Sequence, residues 1–268
     1  VANDVERRRW NDPYWSSAWV RREQLTAAAT DLLVSTLGLS PGQRVLDVGC
    51  GAGPAALAAA PRVVPGGRVV GADISAPLVE LARTRAATRA VTNVEFVVAD
   101  VQADHLAGAP FDVVMSQFGV MFFERPVAAF ANLAALAAPG GRLGFACWQA
   151  VAANPWFTGP ALAPYVPTPT PAAPGTSPTG PFSLADPDRT AQILESAGWS
   201  GIAVTPHQLT ITVDAEAISD DGQPAFLGVP EHLIGQAQAA ARAHLAPLEL
   251  PGRRYRAPLA FFLVTATT

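Results

Sequence analysis

Lysine is absent; all 18 basic residues of the 268-residue chain are arginine. A lysine Schiff base is therefore impossible, which excludes pyridoxal-phosphate enzymes of the usual kind and lysine aldolases. Cysteine is nearly absent too. Cys50 and Cys147 lie far apart, and neither has a second cysteine or a histidine at ligand spacing. Two buried free thiols are expected, and no metal site. Charge is scarce, at 15% of residues, with a formal net charge of -4. No basic face is expected, so neither nucleic acid nor membrane is an expected partner. No apolar run approaches the roughly 18–20 residues of a membrane span. The opening stretch VANDVERRRWND is polar and lacks a signal-peptide core. The expectation is a soluble, cytoplasmic protein, monomer or homodimer, which could bury a substantial core because half its residues are hydrophobic.

What is present is alternation. An aromatic cluster, Trp10, Tyr14, Trp15 and Trp19, precedes an amphipathic helix over 18–37 with Leu25, Ala28, Leu32, Val34 and Leu37 as its apolar stripe. Apolar strands are then expected at 44–49, 67–75, 93–101, 111–118 and 141–148, with helices between them, at 76–90 and 125–138 among others. Such a β-α-β-α series argues for a parallel sheet covered on both faces, an α/β fold. The pattern breaks near 150. PTPTPAAPGTSPTGP carries six prolines in fifteen positions and reads as an excursion. A helix restarts at 186–199 with Asp186 as cap. A strand interrupted at Pro206 follows, then helical character over 215–246 and a last strand at 257–266.

The first strand feeds VLDVGCGAGP, with glycines at 49, 51 and 53. A glycine-rich turn between strand and helix lets the backbone approach a ligand closely. The dinucleotide fingerprint G-x-G-x-x-G would need glycine where Pro54 stands. An acid, Asp47, precedes the turn. A second acid, Asp73, ends the second strand, and a third, Asp100, follows in VVADV.

In these residues the chain resembles the class I S-adenosylmethionine-dependent methyltransferases, over roughly residues 40–148. An acid followed by G-x-G-x-G is that family's first motif, matched by Asp47, Gly49, Gly51 and Gly53. PGGRLGF is also typical of that family, and FGVMFF followed by NPWF further resembles a bacterial small-molecule subgroup. The resemblance implies a Rossmann-like, doubly wound, mostly parallel seven-stranded sheet, with a lid or insertion in the C-terminal half. It divides a single domain into an N-terminal helical cap (1–37), a cofactor-binding core (40–148), a Pro-rich insertion (150–185) and a sheet completion (186–268) with a lid at 215–256. It implies S-adenosyl-L-methionine as cofactor and S-adenosyl-L-homocysteine as product. Asp73, with Ile74 beside it, would accept the ribose hydroxyls, and Asp100 the adenine amino group, next to the backbone of Val101. Ser116 and Gln117, at the end of the fourth strand, would face the cofactor. Tyr14 would close over it.

The run Phe118–Phe123 carries no charge, so no carboxylate base stands at that point. The catalytic residue stays open, with His105, His232, His244 and Tyr14 as candidates. An Asn/Asp-Pro-Pro-Tyr motif is missing, which argues against DNA or protein amides. Apolar content in the later segments, Trp156, Phe157, Leu162, Tyr165, Phe182, Phe226, Leu227 and Leu233, would line the site and points to a small, largely apolar organic acceptor, with O- or C-methylation favoured. The alternatives are a protein of the same fold and cofactor that catalyses a cyclisation, an NAD(P)-dependent oxidoreductase, and a non-catalytic binding module.

Overall fold

The computed structural model describes residues 3–167 and 179–268. Most of the Pro-rich excursion therefore lies outside the described residues. Two helices open the chain, α1 (Asp4–Asn11) and α2 (Pro13–Leu37). The alternating part holds β1 (Arg44–Val48), α3 (Pro54–Ala59), β2 (Arg68–Asp73), α4 (Ala76–Thr88), β3 (Val94–Val98), β4 (Phe111–Gln117), α5 (Pro126–Leu136) and β5 (Ala137–Trp148). Beyond it come a one-turn α6 (Gly159–Leu162), α7 (Pro187–Ser196) and the long β6 (Ser200–Asp214). Two further one-turn helices, α8 (Ala215–Ile218) and α9 (Gln223–Phe226), lead to α10 (Ile234–Leu245), β7 (Glu249–Leu250) and β8 (Arg254–Thr267).

The strand order is β3-β2-β1-β4-β5-β8-β6, a path of seven, with the two-residue β7 added alongside β8. The pairs from β3 to β5 are parallel. β8 runs antiparallel to both β5 and β6. Helix α2 contacts both α3 and α4, and α5 packs on α7. The chain leaves β1 toward one edge and returns at β4 to build the other. Strand order thus reverses between β1 and β4, and their carboxyl ends form the crevice where open α/β sheets take ligands.

Several expectations shift in detail. The first long helix begins at Pro13, not 18. The Asp12 carboxylate accepts the amides of Tyr14 (2.9 Å) and Trp15 (3.3 Å), and Pro13 fills the first turn. The core stripe of α2 is Leu25, Ala29, Leu33 and Leu37, an unbroken i, i+4 series. Ala28 and Leu32, expected in that stripe, are only partly buried. β6 is continuous through Pro206 because it is the sheet edge. Proline removes a donor that a central strand would need, and an edge strand has one side free of pairing. The third strand stops at Val98, so Asp100 stands in the loop after it. The expected apolar lining from Leu162, Tyr165, Leu227 and Leu233 instead packs together around Val229 and Ala237 as a separate small core.

Candidate active site

The turn after β1 is built from three glycines with left-handed φ, 65° at Gly49, 53° at Gly51 and 87° at Gly53. At Gly49 the requirement is double. A Cβ there would also sit 2.8 Å from the Gly119 Cα, because the β1 and β4 ends touch. Ser116 holds this junction. Its buried hydroxyl donates to the Val48 carbonyl (2.7 Å) and accepts the amides of Gly119 (3.2 Å) and Val120 (3.3 Å). All its hydrogen-bonding capacity is used, so Ser116 faces the β1–β4 contact and not the cleft. Gly53 likewise lies off the cleft; a Cβ there would meet the Phe96 ring at 2.8 Å, so this glycine lets α3 pack.

A cleft of ≈590 Å³, open mouth included, lies over the β1 and β4 ends. Gly49, Gly51, Asp73, Ile74, Asp100, Val101 and Gln117 all line it. The sequence expectation thus converges on one place from four separate loops. The Asp73 carboxylate accepts the Gly51 amide and the Ser75 amide, each at 2.8 Å. Ser75, not Asp73, caps α4 through its own hydroxyl. Asp100 is held by the Gln102 amide (3.2 Å) and faces Arg7 of α1 at 3.7 Å. Gln117 donates to the Thr26 carbonyl at 2.9 Å, while its buried Oε1 has no partner.

Asp47 lies beneath the turn, fully buried, with neither carboxylate oxygen in a hydrogen bond. Burial, and to a lesser degree the charge of Asp73, pushes its carboxyl up to about 8, against the pull of the Ala56 amide. Burial raises Asp73 as well, although the amides of Ser75, Gly51 and Ile74 oppose it. The sign for stability follows. An unfolded aspartate loses its proton near pH 4, whereas Asp47 keeps it to about 8. The ligand-free fold is therefore favoured in full below about pH 4 and loses that advantage as pH rises toward 8. Asp47→Asn is expected to raise the ligand-free melting temperature at pH 8 by several °C, on the order of 1–3 kcal/mol, and to leave it nearly unchanged at pH 4. Equal shifts in thermal melts at both pH values would contradict the assignment.

The cleft is roofed by the N-terminal helices. Asn11 bonds the Ile74 carbonyl (3.0 Å) and the Ala76 amide (3.0 Å), and Ser75 donates to the Trp10 carbonyl at 2.6 Å. Trp10 meets Trp19 and Phe122 edge-on, with centroids 5.4 and 5.2 Å away. These three rings line the cleft and also a second, more apolar chamber of ≈660 Å³, open mouth included. Trp148, Trp156 and Phe157 form another wall of that chamber, and Arg22, Thr158 and Gln223 add its polar points. Asn154 sets Trp156 in place. It bonds both the amide and the carbonyl of Ala260, each at 2.9 Å, and accepts the Trp156 indole at 3.1 Å.

The four candidates for catalysis line neither cavity. His105 is exposed on the loop after β3 and lines a separate surface hollow. His232 is exposed before α10, and His244 is on the far part of α10. Tyr14 packs on Phe226, centroids 5.1 Å apart, and against Gly222. Its buried phenol stands beside Asp220, and burial with that negative neighbour pushes its pKa up, beyond the ordinary phenol range. Tyr14 is thus part of the wall behind Trp15 and does not close the cleft. The residues that sequence reasoning missed are Trp10, Asn11, Arg22 and Asn154. Trp10 stood out only as a member of the aromatic cluster and Asn154 only as the first residue of NPWF; Asn11 had a local signal, since Asn-Asp-Pro marks a chain turn into a helix, and Arg22 had none.

A sheet of this order, with an acid-and-glycine turn at its switch point and acids after β2 and β3, defines a methyltransferase fold. Residues 45–141 match the family model of the methyltransferase domain. That region, from β1 to the first residues of β5, is thus similar to the methyltransferase domain, and the chain shares the fold of a solved S-adenosylmethionine-dependent methyltransferase from Aquifex aeolicus. It is 35% identical over 126 residues to aklanonic acid methyltransferase DauC of Streptomyces sp. (strain C5), covering 47% of this chain and 57% of that protein. It is 39% identical over 104 residues to the nocamycin O-methyltransferase of Saccharothrix syringae, covering 39% of this chain and 37% of that protein. The chain thus spans about half the length of the curated relatives it matches. The crystal structure of YcgJ from Bacillus subtilis superimposes with a TM-score of 0.61 over 90% of this chain and 98% of that one, at 18% identity.

Proposed function

We propose that the chain transfers the methyl group of S-adenosylmethionine to a small, largely apolar organic acceptor held in the second chamber. The observation that carries this is the shared wall. One cavity has the acids and glycines, the other is apolar, and Trp10, Trp19 and Phe122 border both.

The residues present fit the cofactor. The cradle at Gly49 and Gly119 has no room for a Cβ, and the Asp47 oxygens below it have no partner in the protein. Asp73 would hold the ribose hydroxyls, Asp100 and the Val101 backbone the adenine, and the 49–51 turn the amino-acid end. When bound, the cofactor supplies an electrophilic methyl group on a cationic sulfur. The chain's task is then alignment and exclusion of water, which rings on both sides of the boundary suit. DauC and the nocamycin enzyme carry the names of small natural products, which supports an acceptor of that class and favours O-methylation. The segments beyond the core add to the chamber. The insertion gives Trp156, Phe157, Thr158 and Pro181, and the 215–256 lid gives Ile218 and Gln223. The net charge of -4 supports small-molecule rather than nucleic-acid partners. Among the described residues no helix is long and apolar enough to cross a membrane, and no group of three or more His, Cys, Asp or Glu side chains could hold a metal.

The test is incubation with methyl-labelled cofactor and apolar small-molecule acceptors, reading label in the organic extract. Label in product is expected. Acceptor turnover without label would instead favour a non-methylating reaction. In the same assay, His105→Ala, His232→Ala and His244→Ala are each expected to change kcat/KM by less than about threefold, whereas loss of a general base costs about 10²–10⁴.

A further inference from the structure

Among the described residues the second chamber has one charged side chain in its lining, Arg22. Its side chain is 13% exposed and its guanidinium lies over the Trp15 ring, 5.2 Å from the centroid. Its counterion is Asp220 at 3.5 Å, and Asp220 is shared with Arg21 at 3.4 Å. Two cations thus face one carboxylate, leaving one positive charge in excess beside an apolar chamber. The Tyr14 phenol next to them stays neutral. A guanidinium has five N–H donors, and one long ion pair leaves most of them free for a ligand. The Trp15 Nε1, in the same lining, is buried and has no hydrogen-bond acceptor. The neighbouring polar groups are occupied with each other: Thr158 donates to Gln223 at 3.1 Å, and Thr26 to the Glu23 carbonyl at 3.2 Å. Among the described residues, the Trp15 Nε1 and most of the Arg22 N–H groups in this wall therefore have no acceptor.

Among the described residues the lining also has no histidine, aspartate, glutamate or cysteine. An acceptor that must lose a proton finds no base there. One that is ionised at neutral pH needs none. We infer that the chamber takes acceptors that are apolar but carry a carboxylate or an equally acidic oxygen, and that Arg22, with the Trp15 Nε1, receives that anion. This rests on the second chamber being the acceptor site, and it narrows the acceptor class.

The test is binding to the full chain saturated with S-adenosylhomocysteine, followed by quenching of the chamber tryptophans. The probes are 2-naphthoic acid and its neutral isostere 2-naphthamide. The wild-type protein is expected to bind the acid about 10–100-fold more tightly than the amide. Arg22→Met is expected to erase that preference, and Arg22→Lys to keep part of it. S-adenosylhomocysteine affinity should be the same in all three proteins, which shows that the variants are folded. Equal binding of acid and amide by the wild type, binding of neither, or a preference that survives Arg22→Met would overturn the inference. Failure to bind S-adenosylhomocysteine, with the acid preference intact, would instead overturn the methyl-transfer proposal and leave the anion site standing.

Discussion

Asp73→Ala is expected to weaken S-adenosylhomocysteine binding by at least about 100-fold, since two charge-assisted hydrogen bonds are lost together. The carboxylate is at the end of β2, in the cleft, and is already oriented by the amides of Gly51 and Ser75 at 2.8 Å each. Those two bonds leave lone pairs on both oxygens for a ribose diol. The substitution also removes the brace between the glycine turn and the start of α4. A smaller loss of stability should therefore accompany the loss of affinity. Asp73→Asn separates the two effects. It keeps one acceptor for an amide but not a charged, bidentate one, so it should restore melting temperature more than affinity. Titration calorimetry with both variants decides this. Unchanged affinity in Asp73→Ala would show that the ribose end of the ligand is bound elsewhere.

Gly49→Ala is expected to damage both fold and site. A left-handed φ of 65° costs an alanine about 1–2 kcal/mol. Overpacking adds about 1–3 kcal/mol more, because the new Cβ would meet backbone, the Gly119 Cα at 2.8 Å. Nothing flexible can move aside there, and relief requires the β1 and β4 ends to separate. Those ends form the cleft floor. A melting temperature lower by roughly 5–15 °C is expected, with cofactor binding lost beyond detection even below the transition. Gly38, by contrast, has a similar φ of 52° with nothing within 4 Å of a Cβ. Gly38→Ala should show the backbone cost alone and leave binding intact. If Gly49→Ala behaves like Gly38→Ala, the close approach of the two strand ends is not what shapes the site.

The core was legible because its signals are local. Strand periodicity, Pro54 at a helix start, and an acid at or near the end of each of the first three strands sit next to the elements they govern. Asp73 and Asp100 could be placed over one cleft because a parallel sheet puts every strand's carboxyl end on the same side. The chamber was not legible in the same way. Trp10, Arg22, Phe122, Trp156 and Gln223 come from five separate segments, and no local pattern brings them together. Ser116 was misplaced for a related reason. Its position at the β4 end was read correctly, but whether its hydroxyl faces ligand or backbone depends on how closely Gly119 approaches Gly49. Tyr14 lies next to Trp15 and four residues after Trp10 in the same aromatic cluster. Only the Asp12 cap, which fixes where α2 starts, sets which ring faces the cleft.

The most direct measurement is a crystal structure of the protein with S-adenosylhomocysteine bound. The expected result places the ribose on Asp73, the adenine by Asp100 and Val101, and the sulfur at the boundary formed by Trp10, Trp19 and Phe122, facing the second chamber. A ligand bound there with its sulfur turned away from that chamber, or bound outside the cleft, would contradict methyl transfer to an acceptor held between those rings and Arg22.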